Sequence, residues 1–269
     1  MEKKKGRRGR PRSLSAAPAR GRIQAVDRTL DVIEALAERE GSTLTELSLR
    51  LGQPVATIYR ILITLESRRY VEVNSDTQEW HVGSQVYRMG AAFLRRSDVV
   101  ELSRPVMRSL MAETGETSNL GIEKSGKVLF VSQVETQKSI RAFFPPGTLS
   151  PMHASGIGKA LLSAYDDNRL ERFLRAVSLD PFTETTLISR EGLIADLRVA
   201  RDRGFALDDE ERTVGMRCIA SCIRNTYGEV VAGISISGPT NRLPDDKIEE
   251  LGVQVKKAAE EISSRLGAP

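Results

Sequence analysis

Residues 23–82 place the tightest constraint on the fold, because three short helical patterns are followed there by two strand patterns. Apolar residues at a spacing of three or four run from Ile23 to Gly41 and predict a first helix. A second begins at Thr43, a favourable N-cap residue, and ends at Gly52, and a third opens with Gln53-Pro54 because proline is tolerated in a first turn. The residues expected to face inward are Val26, Leu30, Ile33, Leu36 or Ala37, Leu44, Leu47, Leu51, Ile58, Ile61 or Leu62, and Leu65.

The two strand patterns, Tyr70–Val73 and Trp80–Val82, are joined by a short polar turn. Three helices and a trailing hairpin are the plan of a winged helix-turn-helix. With the apolar faces inward, the third helix presents Thr57, Tyr59 and Arg60 outward, and these residue types donate to phosphates and base edges. A helical domain that binds nothing and a winged helix that binds protein are alternatives, but the adjoining basic segment favours DNA.

That basic segment holds most of the excess positive charge of the chain. Residues 1–22 contain nine basic residues and one acid, Glu2, whereas the whole chain has a net charge of +4, so the remainder is acidic. The segment has too few apolar groups to fold alone, and we expect a disordered basic arm with a polyanionic partner. Within it, Arg8-Gly9-Arg10-Pro11 matches the core of the AT-hook, a unit thin enough for a narrow minor groove. Sequence-tolerant phosphate binding and a merely solubilising tail are the alternatives.

Composition excludes several classes of protein. No apolar run approaches the roughly 18 residues of a membrane span, and the basic start lacks the apolar core of a signal peptide. The chain has two cysteines and two histidines, too few for a disulfide scaffold or a four-thiolate zinc site. We therefore expect a cytoplasmic protein with no metal, no cofactor and no membrane partner.

Beyond residue 83, strands and helices mix without a strict alternation, which predicts an α+β domain with an antiparallel sheet. The predicted organisation is a basic arm at 1–22, a winged helix-turn-helix at 23–83, a linker helix at 84–98 and an effector-binding domain at 99–269. The predicted strands of the last part are Ser118–Glu123, Lys127–Val134, Ser139–Phe143, Phe205–Leu207, Cys218–Arg224 and Val230–Ser237. The predicted helices are Ile157–Tyr165, Asp167–Val177, Glu191–Arg203 and Asp245–Leu266, after one that ends near Gly115.

Small residues between His153 and Gly158 lead straight into one of these helices. Bare N–H groups at a helix start, with the helix dipole behind them, can hold a small carboxylate. A nucleotide-binding P-loop is excluded, because His153 stands where its first glycine belongs and Ala160 where it needs serine or threonine. A tight loop chosen only for packing is the alternative.

Three further positions could line a ligand site. Asp208 lies in a run of four acids, which is usually a solvated turn but can point one carboxylate into a pocket. Cys218 begins an apolar strand, either as a small core residue or as a weak donor to a ligand. Ser235 and Ser237 alternate with isoleucines, so both serines share one face of a strand, exposed or lining a cavity.

An enzyme is the competing class of function. A Cys218 nucleophile with His153 as its base is conceivable, but nothing in the sequence lowers the thiol pKa, and no Gly-x-Ser-x-Gly elbow is present. We therefore expect no enzymatic activity and assign no catalytic residue. An architectural DNA binder that uses the basic arm alone is a second alternative.

From about residue 23 to residue 267, in order and in register, the chain resembles the IclR family of bacterial transcriptional regulators. The segments that carry the resemblance are Ala25–Ile33, Thr45–Leu47, Thr57–Leu62, His153–Leu162 and Gly204–Asp208. The family implies a winged helix-turn-helix, a linker helix and a GAF-like effector domain. It also implies homodimers that often pair as dimers of dimers, bound to double-stranded operator DNA.

Four other segments most resemble the branch of the family that senses glyoxylate, namely Trp80–Gly83, Phe182–Leu187, Cys218–Ser221 and Ile234–Pro239. The resemblance implies effector contacts at Gly156, Ile157, Gly158, Asp208, Cys218, Ser235 and Ser237. Expected DNA contacts are Arg22, Gln53, Thr57, Tyr59 and Arg60. Ile157 stands where the branch has alanine, and its bulk is expected to narrow the pocket. The implied function is control of glyoxylate-assimilation genes by glyoxylate; pyruvate or an aromatic acid is the alternative effector.

Overall fold

A computed structural model describes residues 23–94, 98–139, 142 and 144–269. The basic arm, including Arg22 and the AT-hook-like segment, lies outside the described residues. The chain divides into two compact units, one ending at Ala92 and the other beginning at Phe93. We call these the N-terminal unit and the C-terminal unit.

Apart from one two-residue strand, the N-terminal unit has the element order that the sequence predicts. Its elements are α1 (Gln24–Ala37), β1 (Ser42–Thr43), α2 (Leu44–Leu51), α3 (Val55–Glu66), β2 (Val71–Val73), β3 (Glu79–Val82) and the start of α4 (Ser84–Leu94). The three strands pair antiparallel in the order β1-β3-β2, and the two-residue strand β1 was not predicted. The helix-turn-helix with its trailing hairpin is confirmed.

Local capping explains why α2 begins and ends where it does. The Thr43 side chain accepts a hydrogen bond from the Glu46 backbone, and the Glu46 carboxylate accepts one in return from the Thr43 N–H at 2.7 Å. Gly52 ends the helix with φ of +60°, a conformation that favours glycine.

The core of this unit contains most of the predicted inward residues, but the inward face of α1 was predicted only in part. Leu47, Ile58 and Leu62 are fully buried, as expected. In α1, Leu36 is buried as predicted and Ile33 packs against the core, whereas Val26 and Leu30 are about half exposed. Val32 and Ala35 are buried instead. The helix carries apolar residues on more than one face, so spacing alone does not identify the face that packs.

The C-terminal unit is an α+β domain around a six-stranded antiparallel sheet, which confirms the predicted fold class. Its strands are β4 (Thr117–Lys124), β5 (Lys127–Val134), β6 (Leu149–Pro151), β7 (Ala206–Asp209), β8 (Met216–Arg224) and β9 (Val230–Pro239). Its helices are α5 (Asp98–Thr114), α6 (Gly156–Ser163), α7 (Asp167–Ala176), α8 (Arg190–Arg203) and α9 (Ile248–Arg265), the last preceded by a 3-10 turn at Asp245–Lys247. The strand order is β6-β5-β4-β9-β8-β7.

One predicted strand is not observed and one observed strand was not predicted. Of the predicted strand Ser139–Phe143, the described residues Ser139 and Ala142 are not in a strand, and the others lie outside the described part. The strand that was not predicted is β6, which forms one edge of the sheet and pairs with β5 through Leu129 and Leu149. A three-residue edge strand is too short for a clear alternation in the sequence.

Helices cover the central strands on both faces. Ile219, Ile234 and Ile236 pack in one core cluster with residues of α5 and α9, and Ala206 and Ala220 pack in another with residues of α6, α7 and α8. The serines of β9 therefore lie on the α6 side and are buried. Among the described helices, none is both long and apolar enough to cross a membrane.

Candidate effector site and nucleic-acid interface

Strand pairing brings the predicted polar residues into one row on the α6 side of the sheet. Asp208 lies opposite Cys218, and Cys218 lies opposite Ser237, across β7, β8 and β9. Residues directly opposite in an antiparallel sheet share a face. Ser235 lies two residues from Ser237, also on that face, so four predicted residues come from three adjacent strands.

The small-residue loop packs against this row. A Cβ atom added to Gly156 would lie 2.7 Å from the Cys218 sulfur, so only glycine allows this close approach. Ser155 caps α6, and its hydroxyl accepts from the Gly158 N–H at 3.4 Å. The Gly156 backbone faces the Cys218 thiol. The loop, the thiol and the serines are thus neighbours, whereas the Gly158 N–H already has a protein acceptor.

A cavity of about 230 Å³ opens beside this row. Three predicted residues line it, Asp208, Cys218 and Ser237. The remaining lining residues are Ala142, Phe144, Arg212, Thr213, Met216 and Arg217. Clefts of about 390 and 430 Å³ lie elsewhere on this unit, and neither is lined by any of the seven predicted effector residues.

Ile157 does not narrow this cavity. Its side chain is fully buried in the core, and a Cβ atom on Gly233 or Gly121 would lie 2.9 or 3.3 Å from its Cγ2. Glycines on β9 and β4 therefore make room for the isoleucine. The expectation that its bulk would constrict the pocket is wrong for this reason.

A buried cluster of charges, which the sequence did not reveal, lies next to the cavity. The Lys159 side chain is fully buried and forms ion pairs with Glu211 and, at 3.0 Å, with Asp196. The Glu211 N–H donates to Asp208 Oδ1 at 2.9 Å. Nothing local in the sequence marks a helical lysine such as Lys159 as buried.

Burial dominates the protonation of this cluster. Desolvation outweighs the nearby Lys159 ammonium and raises the pKa of Asp208 to about 6 and that of Glu211 to about 7. Burial alone would lower the pKa of Lys159, but the facing Glu211 and Asp196 carboxylates reverse this, and the pKa is raised. Near neutral pH the site therefore combines an ammonium with two carboxyl groups that hold protons unusually tightly.

A threonine-rich segment holds the turn that follows Asp208. The hydroxyls of Thr183 and Thr186 donate to the carbonyls of Glu210 at 2.8 Å and Glu211 at 2.7 Å. The predicted solvated acidic run is thus an ordered turn, and Asp208 points inward from it with 7% of its surface exposed.

The geometry gives no support to a cysteine nucleophile. Burial, with a contribution from the Asp208 charge, raises the pKa of the Cys218 thiol to about 11, whereas a nucleophilic thiol needs a lowered pKa. His153 Nε2 lies 3.0 Å from the Asp180 carbonyl oxygen. Cys218 is suited to act as a weak hydrogen-bonding group beside the cavity.

In the N-terminal unit, α3 exposes two of the three side chains that the sequence predicted to face outward. Tyr59 is half exposed and Arg60 is exposed, while Thr57 and Gln53 are partly buried. The N-cap of α3 is Pro54, and no side chain among the described residues caps this helix end. The N–H groups of Val55 and Ala56, which precede the first helical hydrogen bond from Thr57, are therefore placed to meet a phosphate. Arg22 lies outside the described residues.

Comparisons with known proteins agree with both units. A family model for the IclR helix-turn-helix domain matches residues 25–75, and one for the C-terminal domain of bacterial transcriptional regulator IclR matches residues 91–264. The chain is 50% identical over 260 residues to the HTH-type transcriptional regulator BhcR of Paracoccus denitrificans, covering 96% of this chain and 93% of that one. It is 38% identical over 262 residues to the HTH-type transcriptional repressor AllR of Escherichia coli, covering 97% and 96%.

Among solved structures, IclR of Thermotoga maritima superimposes with a TM-score of 0.79 at 27% sequence identity, covering 90% of this chain and 98% of that one. The sequence relatives and the structural match extend over both units. These matches and the family models together account for the fold and exclude the enzymatic alternative. The chain belongs to the IclR family of bacterial transcriptional regulators, DNA-binding proteins that respond to small-molecule effectors.

Proposed function

We propose that this regulator binds glyoxylate in the cavity beside Cys218 and that binding changes its affinity for operator DNA. The observation that carries the proposal is the row of buried polar groups on the cavity side of the sheet. Ser237 is 2% exposed, and the buried Ser235 hydroxyl has no nitrogen or oxygen partner among the described residues and faces only the weakly hydrogen-bonding Cys218 thiol. A buried hydroxyl without a partner is costly, and a bound ligand would remove that cost.

The chemistry of the row suits a small acid that also carries a hydroxyl group. Glyoxylate in water is largely the hydrate, with one carboxylate and two hydroxyls. Its carboxylate would accept from Ser235, Ser237 and the Gly156 backbone, while its hydroxyls would donate to Asp208. Gly158 and the buried Ile157 would then support the loop without contacting the ligand through a side chain.

Glyoxylate is expected to bind at least about tenfold more tightly than oxalate, since oxalate offers a second carboxylate and no donor to Asp208. Isothermal titration calorimetry of the full chain measures both affinities, and pyruvate and 4-hydroxybenzoate test the alternative effectors. Equal affinity for glyoxylate and oxalate would contradict the assigned role of Asp208.

The N-terminal unit would supply the response. We propose that α3 contacts operator DNA through Gln53, Thr57, Tyr59 and Arg60, with Arg22 and the rest of the arm binding nearby. The DNA-binding domain would comprise residues 23–83, and the effector-binding domain residues 99–269. Residues 84–98 would form the helix that links these two domains. In a homodimer, or a dimer of dimers, effector binding would favour one arrangement of the paired DNA-binding units. A coupling of ~1–3 kcal/mol would change operator affinity roughly 5–150-fold, at genes for glyoxylate assimilation.

Arg60→Ala is expected to weaken operator binding by about tenfold or more and to leave glyoxylate affinity unchanged. Ser235→Ala is expected to do the reverse and to abolish the response of DNA binding to glyoxylate. Fluorescence anisotropy with DNA from upstream of the regulator's own gene, with and without glyoxylate, measures operator affinity and its response to glyoxylate. Isothermal titration calorimetry measures glyoxylate affinity. Arg172→Ala removes the same charge from an exposed position on α7 and serves as the control. Loss of both activities in both variants would refute the division of roles.

A further inference from the structure

Two amide side chains, one half-buried on β5 and one buried on β4, extend the polar row across two more strands. Gln133 on β5 lies opposite Asn119 on β4, and Asn119 lies opposite Ser235 on β9. The Gln133 Nε2 donates to Asn119 Oδ1 at 2.9 Å, and Asn119 Nδ2 donates to Ser237 Oγ at 3.2 Å. Asn119 is fully buried. A directed chain of hydrogen bonds therefore runs from Gln133 to the serine that lines the cavity.

We propose that Gln133 and Asn119 are positioning residues that make Ser237 a hydrogen-bond donor toward the cavity, so that the site selects a carboxylate. An amide has one accepting end and one donating end. Because Gln133 occupies the accepting end of Asn119, the donating end faces Ser237. A hydroxyl that accepts from Asn119 places its own hydrogen elsewhere, and its other neighbours are Cys218 and the cavity. This inference rests on the proposed effector function.

The direction of that hydroxyl matters because the cavity also contains a buried carboxyl group. Asp208 presents acceptor oxygens, and an anionic ligand gains nothing from further lone pairs around it. If Ser237 donated to Asn119, it would present lone pairs to the ligand carboxylate. The same side chains in the same places would then disfavour the anion, so affinity depends on the polarity of the chain as well as on its residues.

A single nearly isosteric substitution reverses this polarity. In Gln133→Glu the side chain at position 133 can only accept, so the Asn119 amide turns its donating end toward it. Ser237 then donates to Asn119, and its hydrogen leaves the cavity. We expect glyoxylate affinity at pH 7.5 to fall about tenfold or more, measured by isothermal titration calorimetry on the full chain. Gln133→Met, which removes the donor without adding charge, is expected to give a smaller loss.

The same substitutions in a Ser237→Ala background separate positioning from a structural or purely electrostatic role. Without the Ser237 hydroxyl there is nothing left to orient, so Gln133→Glu and Gln133→Met are each expected to reduce affinity by less than about twofold. A persistent tenfold loss from Gln133→Glu in that background would mean that the new charge repels the ligand, and the inference would fall. If the wild-type chain bound glyoxylate and both Gln133 variants bound it with the same affinity, the inference would be overturned, but the proposed function would stand. A wild-type chain that binds no glyoxylate would overturn both.

Discussion

Lys159→Met is expected to lower the free energy of unfolding of the C-terminal unit by about 3–5 kcal/mol. Methionine keeps the length and apolar stem of lysine but removes the ammonium, which is fully buried between Glu211 and Asp196. The carboxylates then remain in a site of low polarity without their counter-charge. Urea unfolding followed by circular dichroism measures the change, because the single tryptophan, Trp80, lies in the N-terminal unit and its fluorescence does not report this one.

Lys138→Met is the matched control. Lys138 also pairs with a buried carboxylate, Glu116, at 3.0 Å, but its side chain is 44% exposed, and Arg242 holds the same carboxylate with two hydrogen bonds of 2.6 and 2.7 Å. Its removal is expected to cost less than about 1 kcal/mol. Comparable losses of unfolding free energy in the two variants would show that burial of Lys159 does not increase its contribution to stability.

The effect of Lys159→Met should also depend on pH, with a sign that follows from the carboxyl groups. Without the ammonium, the pKa values of Asp208 and Glu211 in the folded chain rise further above their ordinary values of 3.8 and 4.5. A raised carboxyl pKa stabilises the fold at low pH, and this contribution is lost as pH rises through the folded pKa. The deficit relative to wild type is therefore expected to be larger at pH 8 than at pH 5. A deficit that is the same at both values would contradict this account.

The parts of the fold that depend on neighbouring residues were predictable. The capping box at Thr43, the glycine that ends α2 and the alternation of Ser235 and Ser237 with isoleucines all express local geometry. The alternation did not reveal whether the serines are exposed, because helices cover both faces of the sheet and the answer depends on α6. Element order therefore follows from the sequence, whereas burial of a given face depends on distant segments.

The missing parts of the site depend on strand register and remote partners. Asn119 and Gln133 become part of the row only once β4 and β5 are paired in their observed register. Lys159 is buried because carboxylates from α8 and from the turn after β7 reach it, and the room for Ile157 comes from glycines on other strands. The resemblance to a family suggests which residues contact a ligand, but it does not identify the side chains that support those residues.

Gly158→Ala is expected to destabilise the C-terminal unit by about 3 kcal/mol or more and to abolish effector binding. A Cβ atom at this position would overlap the Met152 carbonyl oxygen and α-carbon and would lie 2.6 Å from the carbonyl carbon. These are backbone atoms, which cannot rotate aside as the end of a flexible side chain can. The loop from Met152 to Ser155 would have to move, and it is this loop that places Gly156 against Cys218. Circular dichroism in urea and calorimetry with glyoxylate measure the two losses.

Gly90→Ala in α4 tests whether the loss at Gly158 comes from steric overlap and not from the loss of a glycine as such. Among the described residues, nothing lies within 4 Å of a Cβ atom added at Gly90, and alanine is favoured over glycine in a helix interior by about 1 kcal/mol. This variant is therefore expected to match or exceed wild-type stability and to bind glyoxylate normally. If Gly158→Ala stayed within about 1 kcal/mol of wild type, the backbone of Met152 could yield at little cost. The fold would then tolerate a wider separation between the loop and the sheet, and Gly158 would not be required to shape the effector site.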